Sequence, residues 1–407
     1  MTCPARAPLI ASLAAGLLFA PGLSWAGRPS ETLPKYTFLF DAAYVHSFLN
    51  HAYGNDGENT QLIDKLYRYE PGGGLQGIII PDARVTYQLL VLKLQYGLTD
   101  DLSLGLGVPV VLATTVEPRL SWVPGDYMWW LGRSYTEQDF WDWAASMGQP
   151  RPGTFRGNRG ALSDIVLGAR WRFSDRIPAL AGTDLRLAFA TYGVLPTGRK
   201  KDPEEIVATG TTTWDLHFQG ELGFHLGADW TVPGTDRRLT LGLDAFYEIL
   251  FRHRYITPQG TINPLILNLA PYVGDSYTLD PGDFLGAALS LEAVLARGPV
   301  GENWLTARTE NPESLPPLLT LTVGYAFTWL FQSDWQSQSA LWDWSQEKLW
   351  RPGYKNRLTA ELVLSLLRLG WPLQVVVGYS NLSWIPGRNC RATDTLTVGV
   401  RAPAKFF

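Results

Sequence analysis

Residues 212–227 read TTWDLHFQGELGFHLG, and their side chains alternate between apolar and polar along the stretch. The even positions from Trp214 to Leu226 are apolar or glycine, whereas the odd positions include Asp215, His217, Glu221 and His225. A β-strand points successive side chains to opposite faces, so the pattern predicts a strand with one apolar and one polar face. Strands of soluble sheets average about 5–6 residues, whereas a membrane crossing needs roughly 9–11. The length of the alternation therefore indicates a membrane-spanning strand.

The next segment repeats the pattern and predicts a hairpin over residues 212–253. One face would carry Leu239, Leu241, Leu243, Tyr247, Ile249 and Phe251, and the other would carry Thr240, Asp244, Glu248 and Arg252. Two consecutive strands with this pattern predict an apolar surface facing lipid and a polar surface facing a lumen.

The same reading along the chain predicts an all-β fold, a transmembrane antiparallel β-barrel of about 12 strands (10–14). The candidate strands are 36–46, 80–97, 102–115, 161–174, 184–195, 212–227, 237–252, 283–296, 318–331, 356–369, 372–383 and 394–402. Short and long connections mostly alternate between them, as expected for short periplasmic turns and long extracellular loops.

The N-terminal residues predict export. Arg6 provides a positive charge, residues 9–20 are apolar, and Ser24-Trp25-Ala26 fits a cleavage site, so residues 1–26 are predicted to be a cleaved signal peptide. Residues 27–407 would then form a single barrel domain in the bacterial outer membrane. The C-terminal Phe407 is typical of such barrels and would be recognised by the barrel-assembly machinery.

Charge and cysteine content limit the partners. The net charge is −4 with both signs interspersed, which argues against nucleic acid as a partner. Cleavage would remove Cys3 and leave Cys390 alone, so no intramolecular disulfide is expected. We predict a monomer whose partners are outer-membrane lipid and lipopolysaccharide. The run Arg199-Lys200-Lys201 could contact lipopolysaccharide phosphates, and a solvated loop tip is the alternative.

Charged and histidine side chains on the polar faces are the candidate lumen lining. The predicted set is Asp164, Arg170, Arg172, Arg186, Asp215, His217, Glu221, His225, Asp244, Glu248, Arg252 and Glu361, with Lys93 and Glu292 on the same faces. Two interpretations remain open. The charges could select a polar permeant, or opposite charges could pair and fill a narrow interior.

The histidines do not predict a catalytic or metal site. His217 and His225 lie eight residues apart, which is about 26 Å along a strand, too far to share one metal ion. His46-Ser47 is followed by Phe48-Leu49, a context that does not suggest a nucleophile and its base. We therefore predict no catalytic residue, metal or cofactor, and a protein that is not an enzyme.

Two tryptophan-rich loops are candidates for an extracellular gate or vestibule. Their tryptophans are Trp122, Trp129, Trp130, Trp141 and Trp143 in one loop, and Trp335, Trp342 and Trp344 in the other. Tryptophan favours the membrane interface, so these segments could rest on the outer leaflet or pack together as a cap. Alternatively they could form an apolar vestibule for a hydrophobic compound. The loop 116–160 is long enough to enter the lumen and is the predicted constriction.

Four stretches carry a resemblance to a known family: 98–109 (LTDDLSLGLGVP), 162–173 (LSDIVLGARWRF), 185–199 and 210–227. They resemble outer-membrane barrels associated with the meta-cleavage pathway of phenol degradation, which are loosely similar to hydrophobic-compound channels. The family usually has Gly-Asp where this chain has Ser163-Asp164. The resemblance implies a barrel and a role in transport.

Together these observations predict a passive channel for small hydrophobic or aromatic compounds. Two alternatives remain. One is a structural or surface-interaction barrel whose lumen is filled, and the other is a membrane-embedded hydrolase.

Overall fold

The computed structural model describes residues 28–60, 66–69, 73–146, 153–157, 160–180, 182–198, 220–256, 274–299, 315–337 and 352–405. The predicted signal peptide and Phe407 lie outside these residues. Among the described residues, no helix is long and apolar enough to cross a membrane. Twelve long strands dominate the fold: β1 (Thr37–Tyr53), β2 (Leu75–Gly97), β3 (Leu102–Pro124), β4 (Ile165–Arg172), β5 (Leu185–Leu195), β6 (Glu221–Thr231), β7 (Leu239–Leu250), β8 (Phe284–Ala296), β9 (Leu319–Leu330), β10 (Gly353–Ser365), β11 (Gln374–Asn381) and β12 (Cys390–Lys405).

The twelve strands form a closed antiparallel barrel. Each strand pairs with its neighbours in sequence, and β1 closes the sheet by pairing with both β2 and β12. Asp41 on β1, for example, lies opposite Lys93 on β2 and Arg401 on β12. Closure leaves no barrel strand with an unpaired edge, which is the condition for crossing a membrane with strands. The predicted fold class and strand number are confirmed.

Each predicted segment overlaps one barrel strand, but β2 and β3 are longer than predicted. Both contain 23 residues, and their loop-side halves extend past the last outward leucines. There the register pairs Asp82 with Arg119 and Arg84 with Glu117, and opposite charges across strands stabilise a sheet that stands in water. Residues 212–219 of the opening hairpin lie outside the described residues, so β6 is described from Glu221 onward.

The barrel has two different ends. The turn end carries Thr37, Lys405 and the connections 98–101, 173–184, 232–238, 297–318 and 366–373. The 297–318 connection is long, whereas the others are short, and tight turns there use Gly234 (φ 76°) and Gly370 (φ 86°) in the left-handed region that glycine tolerates. The opposite end, which we call the loop end, carries long connections except for the short one at 382–389. One of these contains helix α1 (Glu137–Ser146).

The outer face of the barrel is an apolar belt bordered by aromatic side chains. Exposed belt residues include Leu104, Leu106, Leu167, Leu226, Leu243, Leu289, Val323, Leu362, Val377 and Val398. Trp171, Trp230 and Trp371 are exposed toward the turn end, and Tyr247, Trp329 and Trp384 toward the loop end. Large exposed apolar surface between two aromatic girdles is typical of transmembrane barrels. The side chains that alternate with these outward residues along each strand point into the lumen.

The belt predicts a depth-dependent cost for charge on β8. Leu289 lies near the middle of this strand and is 56% exposed, whereas Leu285 and Leu295 lie near its two ends. Leu289→Arg should destabilise the folded barrel in lipid vesicles by about 2–4 kcal/mol, and the same change at Leu285 or Leu295 by about 0–1 kcal/mol. Urea titrations followed by tryptophan fluorescence measure the difference. Equal costs at the three positions would contradict the position of the belt.

Candidate functional site

Residues 28–36 precede β1 and cross the lumen at the turn end; we call them the pre-strand segment. Near one wall, the Tyr36 amide donates to the Gly97 carbonyl at 2.8 Å and the Leu33 amide donates to Ser103 Oγ at 2.8 Å. Toward the other wall, the Ser30 amide donates to Asp229 Oδ2 at 2.7 Å. Because β2 and β3 are separated from β6 by two further strands, these contacts require the segment to run across the barrel interior.

Charged side chains of the wall hold this segment in place. Arg170 Nη1 on β4 donates to the carbonyl oxygens of Arg28 (3.1 Å) and Glu31 (3.2 Å). Arg28 Nη2 lies 2.6 Å from Glu292 Oε1 on β8, and the Ser30 hydroxyl also donates to Asp229. Hydrogen bonds to charged groups contribute about 1.5–3 kcal/mol each, so together these contacts favour one position of the segment.

Two glycines on the inner wall make room for the segment. A Cβ atom at Gly227 would lie 2.6 Å from the Pro29 carbonyl oxygen, and one at Gly242 would lie 3.0 Å from Pro29 Cδ. Any other residue at Gly227 would collide with the backbone of the segment. The segment therefore needs glycine at Gly227 on β6 and at Gly242 on β7 in order to cross the lumen.

A cavity of about 280 Å³ lies in the lumen, with Pro29 forming part of its wall. This volume is near the lower end of ligand pockets, which span roughly 300–1,000 Å³. Its size therefore suits a small molecule. Side chains from β1, β2 and β4–β12 line it.

One side of the cavity is aliphatic. Val45, Val91 and Val166 line it, and Val91 packs with Leu89 and Val111 in a buried cluster against which Val45 also packs. These residues come from β1–β4, so the apolar surface is contributed by neighbouring strands. It offers an apolar contact surface in a cavity that is also lined by charged and hydroxyl side chains.

A charged network lies next to the aliphatic side, nearer the turn end. Arg401 Nε lies 3.1 Å from Asp41 Oδ2, and Arg401 Nη2 lies 3.5 Å from Glu361 Oε2. Lys93 Nζ lies 4.0 Å from the same Asp41 oxygen. The four side chains come from β1, β2, β10 and β12, so they join the wall across the closure of the barrel.

A second polar group lies toward the loop end. His225 Nδ1 is 2.8 Å from Asp244 Oδ2, and the Tyr192 hydroxyl donates to Glu221 Oε1 at 2.6 Å. Glu248 on β7 is 3% exposed. Within the described ranges, the side chain that hydrogen-bonds to the His225 ring is Asp244, so the two form a pair across β6 and β7.

The structure places the predicted lining residues at different depths. Arg170, His225, Asp244 and Glu361 line the cavity, together with Lys93. Glu221 and Glu248 are buried nearer the loop end. Asp164 is buried at the loop end of β4, where Oδ1 accepts from the Gly198 amide at 2.8 Å.

Other predicted residues lie on the rims or outside the described residues. At the turn end, Arg172 and Arg186 both contact Asp175, at 2.8 and 3.0 Å. Arg252 at the loop end is 3.9 Å from Asp334. Asp215 and His217 lie outside the described residues. These arginines stabilise connections and do not line the cavity.

Three charged residues of the cavity, Asp41, Arg357 and Arg401, were absent from the predicted set. A signal was present for Asp41, because it alternates with the outward Phe40 and Tyr44 inside a predicted strand. Arg401 lies two residues before Pro403, and because proline cannot donate a ladder hydrogen bond, the sequence signal for the end of the last strand is weak there. Arg357 lies at the edge of its predicted segment, where alternation is short.

The first tryptophan loop forms an aromatic cluster at the loop end of β2 and β3. Trp122 Nε1 donates to the Tyr135 carbonyl at 2.9 Å, and its ring stacks on Phe140 at 5.5 Å. The guanidinium of Arg68 lies 3.5 Å from the ring centre of Trp143, a cation–π contact. The described part of this loop contributes no residue to the cavity, whereas Pro29 of the pre-strand segment does.

Other tryptophans of the predicted gate are placed as follows. Trp141 is buried, with Nε1 3.2 Å from Glu137 Oε1. Trp129 and Trp130 are exposed at the loop tip, Trp129 by 84%. In the second loop, the backbone of Trp335 pairs with Leu279, and Trp342 and Trp344 lie outside the described residues. A gate role for these tryptophans stays a prediction.

Among the described residues, no group of three or more His, Cys, Asp or Glu side chains is placed to hold a metal ion. Cys390 is free and buried.

Comparison with solved structures agrees with the barrel fold. An outer membrane channel from Pseudomonas putida F1 matches over 95% of this chain and 100% of that chain, with a TM-score of 0.54 and 12% identity. The NanC porin matches over 88% and 98%, with a TM-score of 0.34 and 8% identity. The CymD monoaromatic hydrocarbon channel matches over 92% and 89%, with a TM-score of 0.30 and 8% identity. The first likeness supports the fold alone, and we draw no argument from the other two.

No protein-family model and no curated protein matches the sequence. The barrel fold shared with the Pseudomonas putida channel agrees with the barrel that the resemblance noted above implies. The link of that resemblance to phenol degradation stays a prediction.

The contacts of the pre-strand segment predict that weakening its anchors opens the lumen. Asp229→Asn combined with Glu292→Gln removes both carboxylates that hold Ser30 and Arg28. In planar bilayers this double variant should show a larger single-channel conductance than the parent, because the segment can leave the lumen.

A matched control for this change is Asp175→Asn. Its carboxylate contacts Arg172 and Arg186 at the turn end and not the segment, so its conductance should equal that of the parent. An unchanged conductance in the double variant would contradict the idea that residues 28–36 restrict the lumen.

The aromatic cluster of the first tryptophan loop depends on the N-terminal cap of α1. The cap predicts that acid weakens the packing of the cluster. Asp139 accepts from the Thr136 amide at 2.8 Å and from Arg133 Nη2 at 2.8 Å, and Arg133 followed by Thr136 holds the pKa of Asp139 well below its usual range. A lowered folded pKa contributes stability above the ordinary value of about 3.9, and the contribution is lost as pH falls below it. Acidification below about pH 4 should therefore loosen the cluster while the barrel stays folded.

Asp139→Asn should produce the same loosening at neutral pH, at a cost of about 1 kcal/mol for the cap. The near-ultraviolet circular dichroism of the tryptophan cluster measures it. Asp142→Asn is the matched control, because in the described part of the loop this carboxylate accepts from Gln138 on the same helix and takes no part in the cap. An acid-insensitive cluster, or equal effects of the two variants, would contradict the assignment.

Proposed function

We propose that the protein is an outer-membrane channel that passes small hydrophobic or aromatic compounds. The observation that carries the proposal is the cavity of about 280 Å³ inside a closed barrel, with an aliphatic side formed by Val45, Val91 and Val166. A wall that only filled the barrel would not need an apolar surface facing an internal space. The solved neighbour with the same fold is itself an outer membrane channel.

The proposal includes location and orientation. The apolar belt with its aromatic borders would lie in the outer membrane, with the turn end toward the periplasm and the loop end toward the outside. Residues 1–26 would direct export, the chain would act as a monomer, and outer-membrane lipid and lipopolysaccharide would surround it. The exposed aromatic tip at Trp129 and Trp130 would be the first part to meet a compound from outside.

The alternative is a structural barrel with a filled lumen. It is favoured by the ion pairs around Arg401 and by the pre-strand segment that crosses the interior. Substitutions in the cavity wall distinguish the two functions. They should change the rate of uptake through a channel, whereas a structural barrel has no uptake for them to change. A hydrolase gains no support from His225, whose contact is with Asp244.

The test compares uptake of radiolabelled benzyl alcohol by cells with an intact lipopolysaccharide layer, with and without the protein. We expect faster uptake with the protein, and a return to the background rate for Val91→Asp, which puts a carboxylate into the aliphatic side of the cavity. Val123→Asp is the matched control, since Val123 is exposed on the loop-end extension.

Heat-modifiable migration on gels shows whether each variant has folded. If the protein does not increase uptake of this neutral aromatic compound, the channel function is wrong. If uptake rises but is the same for Val91→Asp, the route does not pass through the cavity.

A further inference from the structure

The charges that line the cavity are balanced, with one exception. Its lining contains three carboxylates, on Asp41, Asp244 and Glu361. Arg401 contacts Asp41 and Glu361, and His225 contacts Asp244. Each carboxylate therefore has a partner of the wall.

The cationic side chains of the cavity are Lys93, Arg170, Arg357 and Arg401. Three of them have partners: Lys93 lies near Asp41, Arg401 is paired as above, and Arg170 donates to carbonyls of the pre-strand segment. The lining thus contains four cationic side chains and three carboxylates.

Arg357 is the exception. It lines the cavity and is only 8% exposed, and its Nε atom is buried with no hydrogen-bond partner. Among the described residues, no hydrogen bond or ion pair involves its guanidinium. An unpaired buried charge is costly, and the five N–H donors of arginine favour a planar carboxylate. An anionic group in the cavity would remove this cost.

Glu248 is the neighbouring acidic group that acts on Arg357, but it does not replace such a ligand. Its Oε1 atom is also buried without a hydrogen-bond partner, so the two groups are not bonded to each other. Their attraction acts across a gap, and the guanidinium donors stay available to the cavity.

Hydroxyl groups extend the polar surface next to Arg357. Thr359 follows two residues later on the same face of β10 and lies opposite Ser380 on β11, which lies opposite Thr395 on β12. Thr395 Oγ1 and Ser47 Oγ on β1 are 2.9 Å apart. This row of hydroxyls leads from the arginine to the strand that carries Val45.

The two sides of the cavity are complementary to two different parts of one ligand. Arg357 and the hydroxyl row suit one negative charge with hydrogen-bond acceptors, and Val45, Val91 and Val166 suit an apolar body. A small volume and one unpaired cation exclude a large or multiply charged molecule.

We infer that the cavity is a binding site for small organic monoacids, in which Arg357 binds the carboxylate and the aliphatic side binds a ring or short chain. This inference rests on the proposed channel function and narrows its substrate class. Arg357 would act as a specificity-determining residue that favours the acid over its neutral analogue.

The test uses the purified full-length protein in detergent and two probes of nearly equal shape, benzoate and benzamide. Isothermal titration calorimetry should show benzoate binding more tightly than benzamide. Arg357→Met should weaken benzoate binding by about 10- to 100-fold, as expected for loss of a charge-assisted hydrogen bond, and leave benzamide binding unchanged.

Two further variants control the experiment. Arg252→Met removes a cation at the loop end that is outside the cavity, so benzoate should bind to it as to the parent. Arg357→Lys keeps the charge but not the planar donor pair, so benzoate binding should be intermediate. Because Lys preserves the charge next to Glu248, this variant provides the test if Arg357→Met does not fold.

The outcomes separate the inference from the proposed function. If benzoate and benzamide bind equally well, or if Arg357→Met and Arg357→Lys keep the full affinity for benzoate, the monoacid site is wrong and a channel for neutral compounds stands. If neither probe binds the parent protein and benzyl alcohol uptake is also absent, both ideas fail.

Discussion

The structure depends on the pairing of β1 with both β2 and β12. This pairing closes the sheet, so every barrel strand has a hydrogen-bonded neighbour on each side. In lipid, unpaired backbone N–H and C=O groups would be too costly, and closure removes the edge where they would occur. It also gives the alternation along each strand its meaning, because one face becomes the outside of a cylinder and the other becomes its interior.

Closure brings together residues that are distant in sequence. Asp41 and Arg401 lie at opposite ends of the chain, yet they face each other across the seam and are joined to Lys93 and Glu361. This network stabilises the seam. The pre-strand segment uses the interior as well, because Arg170, Asp229 and Glu292 hold it across the turn end. Some residues of the inward polar face thus join the strands or hold the pre-strand segment, and others line a small cavity.

Parity along the strands predicted much of the lumen wall. Arg170, His225, Asp244 and Glu361 were predicted to point into the lumen. In the structure these four residues line the cavity. The pattern could not tell these residues from Arg172, Arg186 and Arg252, which lie on the rims. Alternation reports which face a residue occupies but not its depth, because depth depends on strand tilt, register and the ends of the strands. Arg357 was missed, and its unpaired state is invisible without the positions of its neighbours.

By itself the sequence determined the β-barrel class, a strand number of about 12 within the range 10–14, and the two faces of the strands that alternate clearly, because a period of two residues and a minimum crossing length are local properties. Tertiary structure alone decided which charges pair, since pairing depends on register across strands far apart in the chain. It also decided that residues 28–36 enter the lumen. That segment has no periodicity and is held by side chains of four different strands, whose positions only the closed barrel defines.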